Sequence, residues 1–290
     1  MSQTRSFSDK SISALINLKY QILEPCKVFV ARRLYSSKYA KNIKTPLVSI
    51  CIPTFNRGPI LVDRAIKSAL LQTYKNIELI VVGDCCTDNT QELLDNIKDP
   101  RLKFYNMKKR KRFYPQTIEN HWFVGGAAPA NKAMDLAAGL WIARLDDDDT
   151  WTQDHIEKLL KFAMDGDYEF VSALYMEERF GERKVVQGTM ALDKHYTKKK
   201  SVDSVKIGGV STWLYRSYLK GMKYNLNCWR KEWNRVWDID LVIRIHRAGV
   251  KMGFLEEVVS FVFPRPGEET IGLDAYKLTK KDKLKQYKFK

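Results

Sequence analysis

Several features that would place this chain in an oxidising compartment or inside a bilayer are missing from its sequence. The five cysteines are an odd number, Cys85 and Cys86 are adjacent, and no CxxC occurs. That pattern supplies neither a disulfide framework nor a zinc site. No apolar run approaches the ~20 residues needed to span a membrane, and the chain opens on polar residues without a signal-peptide core. Membrane spanning and secretion are therefore not expected, and a cytoplasmic protein is. Histidine is scarce: His121, His155, His195 and His246 show no metal-ligand spacing, which predicts structural or exposed roles. No internal repeat is present, and the only low-complexity stretches are basic ends.

What is present suits one large α/β unit. With 290 residues, of which 44% are hydrophobic and 29% charged, the chain can bury a sizeable core. Its net charge of +16 would by itself suggest nucleic acid or an anionic surface, but the charge is unevenly spread. Residues 1–45 hold nine Lys/Arg against two Asp/Glu and residues 275–290 seven against one, leaving only +3 on residues 46–274. Three regions follow: a basic amphipathic N-terminal extension (1–45), a nearly balanced domain (46–274) and a basic C-terminal tail (275–290).

In the extension, Ile12, Leu15, Ile16, Ile22 and Leu23 recur at roughly helical spacing among Lys19, Lys27, Arg32 and Arg33, with Pro25 as a break. Two short amphipathic pieces are expected. Two readings stay open: peripheral contact with an anionic membrane, or a helix packed on the domain's own flank. The tail KLTKKDKLKQYKFK shares this ambiguity.

From Pro46 the pattern alternates strands and helices. Strands are expected at 47–52, 77–82, 102–105, 140–145 and 170–174, and helices at 60–71, from the caps at 87–90 through 96, at 130–138, and from Thr152 or Asp154 through 163. Such alternation argues a Rossmann-like, mostly parallel sheet flanked by helices, with ligands beyond the carboxyl ends of the strands.

The chemistry concentrates at those ends. Asp146, Asp147, Asp148 and Asp149 follow the apolar strand LWIARL, and four adjacent carboxylates repel one another unless a cation is near. Hard oxygen donors suit Mg²⁺ or Mn²⁺ completed by substrate phosphates. In an extended backbone Asp146 and Asp148 point to one side and Asp147 and Asp149 to the other, which leaves Asp149 able to cap the turn before Trp151. Two further strand ends, Pro53-Thr54-Phe55-Asn56-Arg57 and Gly83-Asp84, offer an aromatic face and a carboxylate to a nucleotide base, though ordinary turn chemistry explains them equally well.

With these motifs in order, the chain resembles the glycosyltransferase family 2 group of GT-A fold enzymes. The resemblance covers residues 47 to about 266 and rests on VSICIPTFNR, IELIVVGDCCTDNT, NKAMDLAAGLWIARLDDDDTW, and WDIDLVIRIHRAG followed by FVFPRPGEETIG. It implies a metal-dependent, inverting enzyme that moves a sugar from a nucleotide-diphosphate sugar, a UDP-sugar above all, to a hydroxyl of a glycan or glycolipid. By position, Asp238 matches the catalytic base, and Asp148, assisted by Asp146, the ligands of Mn²⁺ or Mg²⁺. Pro53, Thr54, Phe55, Asn56, Arg57, Asp84, Asn131 and Asp147 match the nucleotide-sugar site. The nucleotide half is expected over 46–150 and the acceptor half over 151–274. The sequence departs from the family pattern in having Gly83 where a second aspartate is usual, Phe55 for a tyrosine, Trp237 before Asp238, and Ala130 before Asn131. The last leaves a phosphate contact to Arg57, Arg112 or Lys132.

Spacing alone makes Asp238 a helix N-cap; the resemblance makes it the base. Trp229, Arg230, Lys231, Trp233, Arg235 and Trp237 interleave aromatics with cations in a pattern that suits an acceptor site. Two alternatives stand beside this reading. A nucleotidyltransferase needs a similar acidic site but commonly has a Gly-rich loop, whereas PTFNRGP has a single glycine. A nucleic-acid-binding protein explains the charge but not the four aspartates.

Overall fold

The run Val48–Thr54 (β1) is buried at every position, and its side chains part with a period of two. Val48, Ile50 and Ile52 enter one apolar core while Cys51 enters another, so the strand must lie in a sheet covered on both faces. The computed structural model describes residues 5–40, 43–109, 114–115, 117–190, 206–231 and 236–278. The basic tail from residue 279, and Arg112, His195, Trp233 and Arg235, lie outside the described residues.

The strands are β1, β2 (Ile77–Gly83), β3 (Leu102–Asn106), β4 (Trp141–Arg144), β5 (Asp149–Trp151), β6 (Phe170–Arg179), β7 (Glu182–Val186), β8 (Thr189–Met190), β9 (Lys206–Ile207), β10 (Leu214–Arg216) and β11 (Met252–Val262). Among the described residues nine of them form one sheet in the order β3-β2-β1-β4-β10-β6-β11-β5, with β7 on β6; β8 and β9 pair separately. β1, β2, β3 and β4 run parallel, as do β6 and β11. β10 is antiparallel to β4 and to β6 and so welds the two parallel groups into one sheet.

The five expected strands are all present. Sequence alternation does not show β5, β7, β10 or β11. β10 has three residues, and β11 carries Glu256-Glu257 within the first of two register shifts that break its period. The helix expected at 60–71 is a helical run from Gly58 to Leu70 with a π-turn over Leu61–Ile66.

The N-terminal segment corrects an expectation. It is one helix, α1 (Phe7–Ala40), and Pro25 lies inside it. A proline there forfeits one backbone hydrogen bond, but contacts on both sides of it hold the helix to the domain. Asp9 pairs with Arg230, Glu24 with Arg244, and Arg32 with Glu169, while Val28 is buried and the Tyr39 hydroxyl donates to Leu140 O at 2.7 Å.

The Glu24 contact belongs to a closed ion network. Arg244 also reaches Asp240 Oδ2 at 2.9 Å, and Lys231 pairs with Asp240. Burial opposes ionisation of Asp240, yet Lys231 and Arg244 together hold its carboxyl below the usual value. Glu24, with one cation in direct contact, is pushed up by its burial despite Arg244. Arg244→Met takes from buried Glu24 the cation it pairs with and leaves Asp240 with Lys231 alone, and breaking a buried pair costs about 3–5 kcal/mol. Urea unfolding is expected to show that loss; a change below about 1 kcal/mol would mean that the network does not hold α1.

Candidate active site

A cavity of about 370 Å³ opens beyond the carboxyl ends of β1, β2 and β4. Pro53, Thr54, Phe55, Arg57, Asp84, Asp146, Asp147, Asp148 and Asp238 all line it. Nine of the eleven residues expected from sequence thus come together from four separate segments.

Two do not. Asn131 sits on the Ala127–Leu136 helix, where its amide donates to Tyr224 O at 2.9 Å and accepts from Tyr224 N–H at 2.8 Å. It pins a loop through both its amide nitrogen and its amide oxygen. Asn56 takes a positive φ of 51° and ties its loop to the next by accepting from Thr87 N–H at 2.8 Å. Both brace backbone near the cavity without being among the residues that line it. Lys132 is likewise placed over the Tyr105 ring and not in the cavity lining.

The four aspartates alternate, with Asp146 and Asp148 half-buried and Asp147 and Asp149 buried. Each carboxylate has a different partner. Asp146 Oδ1 pairs with Arg144 at 2.8 Å; Asp147 accepts from Thr54 Oγ1 at 2.7 Å and Arg57 Nη1 at 2.8 Å; Asp148 meets the same Arg57 nitrogen at 3.2 Å. Asp149 is not a turn cap. It opens β5, and Ser211 Oγ donates to it at 2.5 Å.

Burial pushes the Asp146 carboxyl up to about 6, with Arg144 opposing and Asp148, Asp147 and Asp238 adding to the rise. Burial also raises Asp147 and Asp149. A group of carboxylates so poorly disposed to ionise calls for positive charge, and two guanidiniums partly supply it. Among the described residues no three acidic, histidine or cysteine side chains converge on one point. This still fits a hard divalent ion, which takes one or two carboxylates plus substrate phosphates. Asp148, half-exposed and with only its longer contact to Arg57, is the carboxylate best able to serve, with Asp146 beside it.

Asp238 is in the first turn of the Trp237–Arg247 helix, whose N-cap position is Val236, so the simple cap is corrected too. Its Oδ1 accepts from Ile239 N–H at 2.7 Å, while the half-buried carboxylate still faces the cavity. Burial raises its pKa. Asp240 is closed within its ion network and cannot replace it.

Arg144 escaped the sequence reading. It is fully buried, donates to Cys51 O at 3.0 Å and Leu145 O at 2.6 Å, and lies 5.4 Å over the Trp237 ring. One guanidinium thereby couples the aspartate strand to the start of the Asp238 helix. A charged residue inside a four-residue buried strand, just before an acidic run, was the available signal. Gly126 lets Trp237 in: a Cβ there would lie 2.9 Å from its ring. Of the aromatic and basic stretch, Trp237 reaches the cavity, whereas Trp229 is buried beneath Arg230 and Lys231 serves Asp240.

His121 lines the cavity with its Nδ1 3.1 Å from the Tyr114 hydroxyl; His155 is structural, stacked on Trp151 and bonded to Val259 O at 2.8 Å. Arg179 and Arg265 also line the cavity. Arg265 lies in FVFPRPGEETIG, a motif the sequence reading singled out without assigning its arginine a role.

Gly83 has a structural reason. A Cβ there would sit 2.7 Å from Asn106 Oδ1, and the Asn106 amide brackets Cys86 by accepting from its N–H at 2.8 Å and donating to its carbonyl at 2.9 Å. Asn106 holds the loop after β2, and Asp84 is left as its carboxylate toward the cavity.

The family model for Glycosyl transferase family 2 matches residues 49–219. A putative colanic acid biosynthesis glycosyl transferase, WcaA, of Escherichia coli (strain K12) is 38% identical over 117 residues, 40% of this chain and 37% of that protein. The Escherichia coli UDP-Glc:alpha-D-GlcNAc-diphosphoundecaprenol beta-1,3-glucosyltransferase WfaP is 36% identical over 116 residues, 40% of this chain and 41% of its own length. The matched stretch therefore spans about two-fifths of these curated relatives. Among solved structures, S. aureus TarS 1-349 in complex with UDP-GlcNAc superposes with a TM-score of 0.56 at 18% identity, covering 77% of this chain and 60% of that one. Mannosyltransferase PcManGT from Pyrobaculum calidifontis, in complex with GDP-Man and Mn²⁺, gives 0.53 at 16%, covering 86% and 69%. The fold is that of GT-A glycosyltransferases, as expected from sequence.

Proposed function

The chain belongs to glycosyl transferase family 2, and on that premise we propose that it is a metal-dependent, inverting enzyme acting on a nucleotide-diphosphate sugar, with a UDP-sugar as donor and a hydroxyl of an anionic glycan or glycolipid as acceptor. The observation that carries this reading is the meeting of Phe55, Asp84, Asp148 and Asp238 around one cavity. Family membership decides against the nucleotidyltransferase and nucleic-acid readings. The UDP-Glc and diphosphoundecaprenol in the name of WfaP support the donor and the phosphorylated lipid acceptor. The Mn²⁺ bound by PcManGT supports the metal.

Residues 46–150 form the nucleotide half. Phe55 offers its ring to the base and Asp84 accepts from a base N–H. Arg57, already on two carboxylates at the mouth of the aspartate turn, is placed to follow the diphosphate. Asp148 and Asp146 would hold a divalent ion, which when bound would supply positive charge against a departing diphosphate. In the acceptor half, 151–274, Asp238 takes the proton of the attacking hydroxyl, and its raised pKa makes it a stronger base than an ordinary carboxylate.

Screening nucleotide-sugars for Mn²⁺-dependent turnover tests the reading, and no turnover with any of them would overturn it. Phe55→Ala tests the base site. Stacking on an aromatic contributes about 1–3 kcal/mol, so UDP affinity by calorimetry is expected to fall about 5- to 150-fold. Unchanged affinity would move the base elsewhere.

A further inference from the structure

The anchors of α1 all leave from one side. Asp9, Glu24, Val28, Arg32 and Tyr39 turn inward to the domain. The outward-facing surface of the helix carries Leu15, Leu18, Ile22 and Phe29, which recur at three-, four- and seven-residue steps and are 52–68% exposed. A stripe of large apolar side chains facing outward on a helix about 50 Å long is not what a solvated flank needs.

The charges decide what covers it. The only acidic residues of α1 are Asp9 and Glu24, and both are consumed by inward ion pairs with Arg230 and Arg244. Lys10, Lys19, Lys27, Arg33 and Lys38 are exposed, so every outward charge of the helix is positive. A second copy would set like charge against like charge along the whole stripe. Spanning is also unsuited, since no described helix is long and apolar enough to cross a membrane.

We infer that α1 is an in-plane membrane anchor whose outer face, Leu15, Leu18, Ile22 and Phe29 flanked by Lys19 and Arg33, lies in the headgroup region of an anionic bilayer. This is the arrangement of interfacial helices, with apolar side chains in the acyl boundary and cations among the lipid phosphates. It also orients the domain. At the helix's amino end Arg5 donates to Asn120 Oδ1 at 2.8 Å, beside His121 and Trp122 of the cavity lining. At its carboxyl end Tyr39 reaches the start of β4. Docking along α1 therefore brings the cavity rim, and not only the back of the sheet, to the lipid surface.

The test is sedimentation of the full chain with vesicles of phosphatidylcholine containing about one-third phosphatidylglycerol, against phosphatidylcholine alone. Pelleting with the anionic vesicles is expected, and it is independent of the transfer chemistry. Leu15→Glu/Ile22→Glu/Phe29→Glu is expected to lower partitioning at least about tenfold, with UDP binding and the unfolding midpoint unchanged. Lys19→Gln/Arg33→Gln, which leaves the apolar stripe intact, is expected to lower it about fivefold per residue and to weaken its salt dependence. Three outcomes overturn the proposal: the native chain stays in the supernatant, both variants pellet as the native chain does, or the native chain is a dimer that the triple variant makes monomeric.

Discussion

Asp148→Ala is expected to lose Mn²⁺-dependent donor turnover by at least about a thousandfold while folding as the native chain does. The loss follows from the several kcal/mol that a bound cation contributes to stabilising charge on a departing diphosphate. The retained fold follows from geometry. Asp148 is half-buried, its recorded contact to Arg57 is the longer of two, and Arg57 keeps its 2.8 Å bond to Asp147 when Asp148 is cut back. Asp147→Ala is the contrasting variant. It removes the carboxylate that accepts from Thr54 Oγ1 and the shorter of the two carboxylate contacts of Arg57, and leaving a buried donor unsatisfied costs about 1–3 kcal/mol of stability. Turnover with a panel of donors, with and without chelator, and thermal unfolding of both variants separate the two roles. Native-like turnover of Asp148→Ala, or full native activity in excess chelator, would remove the cation from the reaction.

The contrast between these neighbours marks how far the sequence could be read. Strand ends and their motifs were legible because period-two burial and turn chemistry are local: β1, β2 and β4 and the residues that follow them were placed by pattern alone. That Asp146 and Asp148 are half-buried while Asp147 and Asp149 are buried follows from the same alternation, although all four line the cavity. The partner of each carboxylate did not follow, because Arg57 and Ser211 reach the turn from far along the chain. The backbone bonds of Asn131 and Asn56 did not follow for a related cause: an amide on a loop or helix serves a backbone as well as a ligand, and sequence does not show which backbone it meets. Pro25 was read as a break because local propensity disfavours it, whereas Glu24, Val28 and Arg32 on either side hold the helix together. Gly83 is the reverse case. Its departure from the family pattern is compensated by Asn106, one strand over, which fills the space that a second aspartate would need.

Asp238→Asn is expected to retain UDP affinity and near-native thermal stability and to lose transfer by about 10² to 10⁴. Asparagine keeps the oxygen that accepts from Ile239 N–H, so the first turn of the helix stays satisfied. It cannot take a proton from an acceptor hydroxyl. Cap and base therefore separate in one substitution, which alanine would not achieve. The pH profile adds an independent readout. Burial raises the Asp238 carboxyl above its ordinary value of 3.8, against the pull of the Ile239 N–H and of Arg144. A base must be ionised to act, so transfer by the native chain is expected to fall as pH drops through that raised pKa, and the residual activity of Asp238→Asn is expected to lack this acid limb. Asp240 offers no substitute, because Lys231 and Arg244 already claim its carboxylate inside a closed network. Transfer by Asp238→Asn at close to the native rate, with the acid limb intact, would leave Asp238 a residue of the helix's first turn and nothing more.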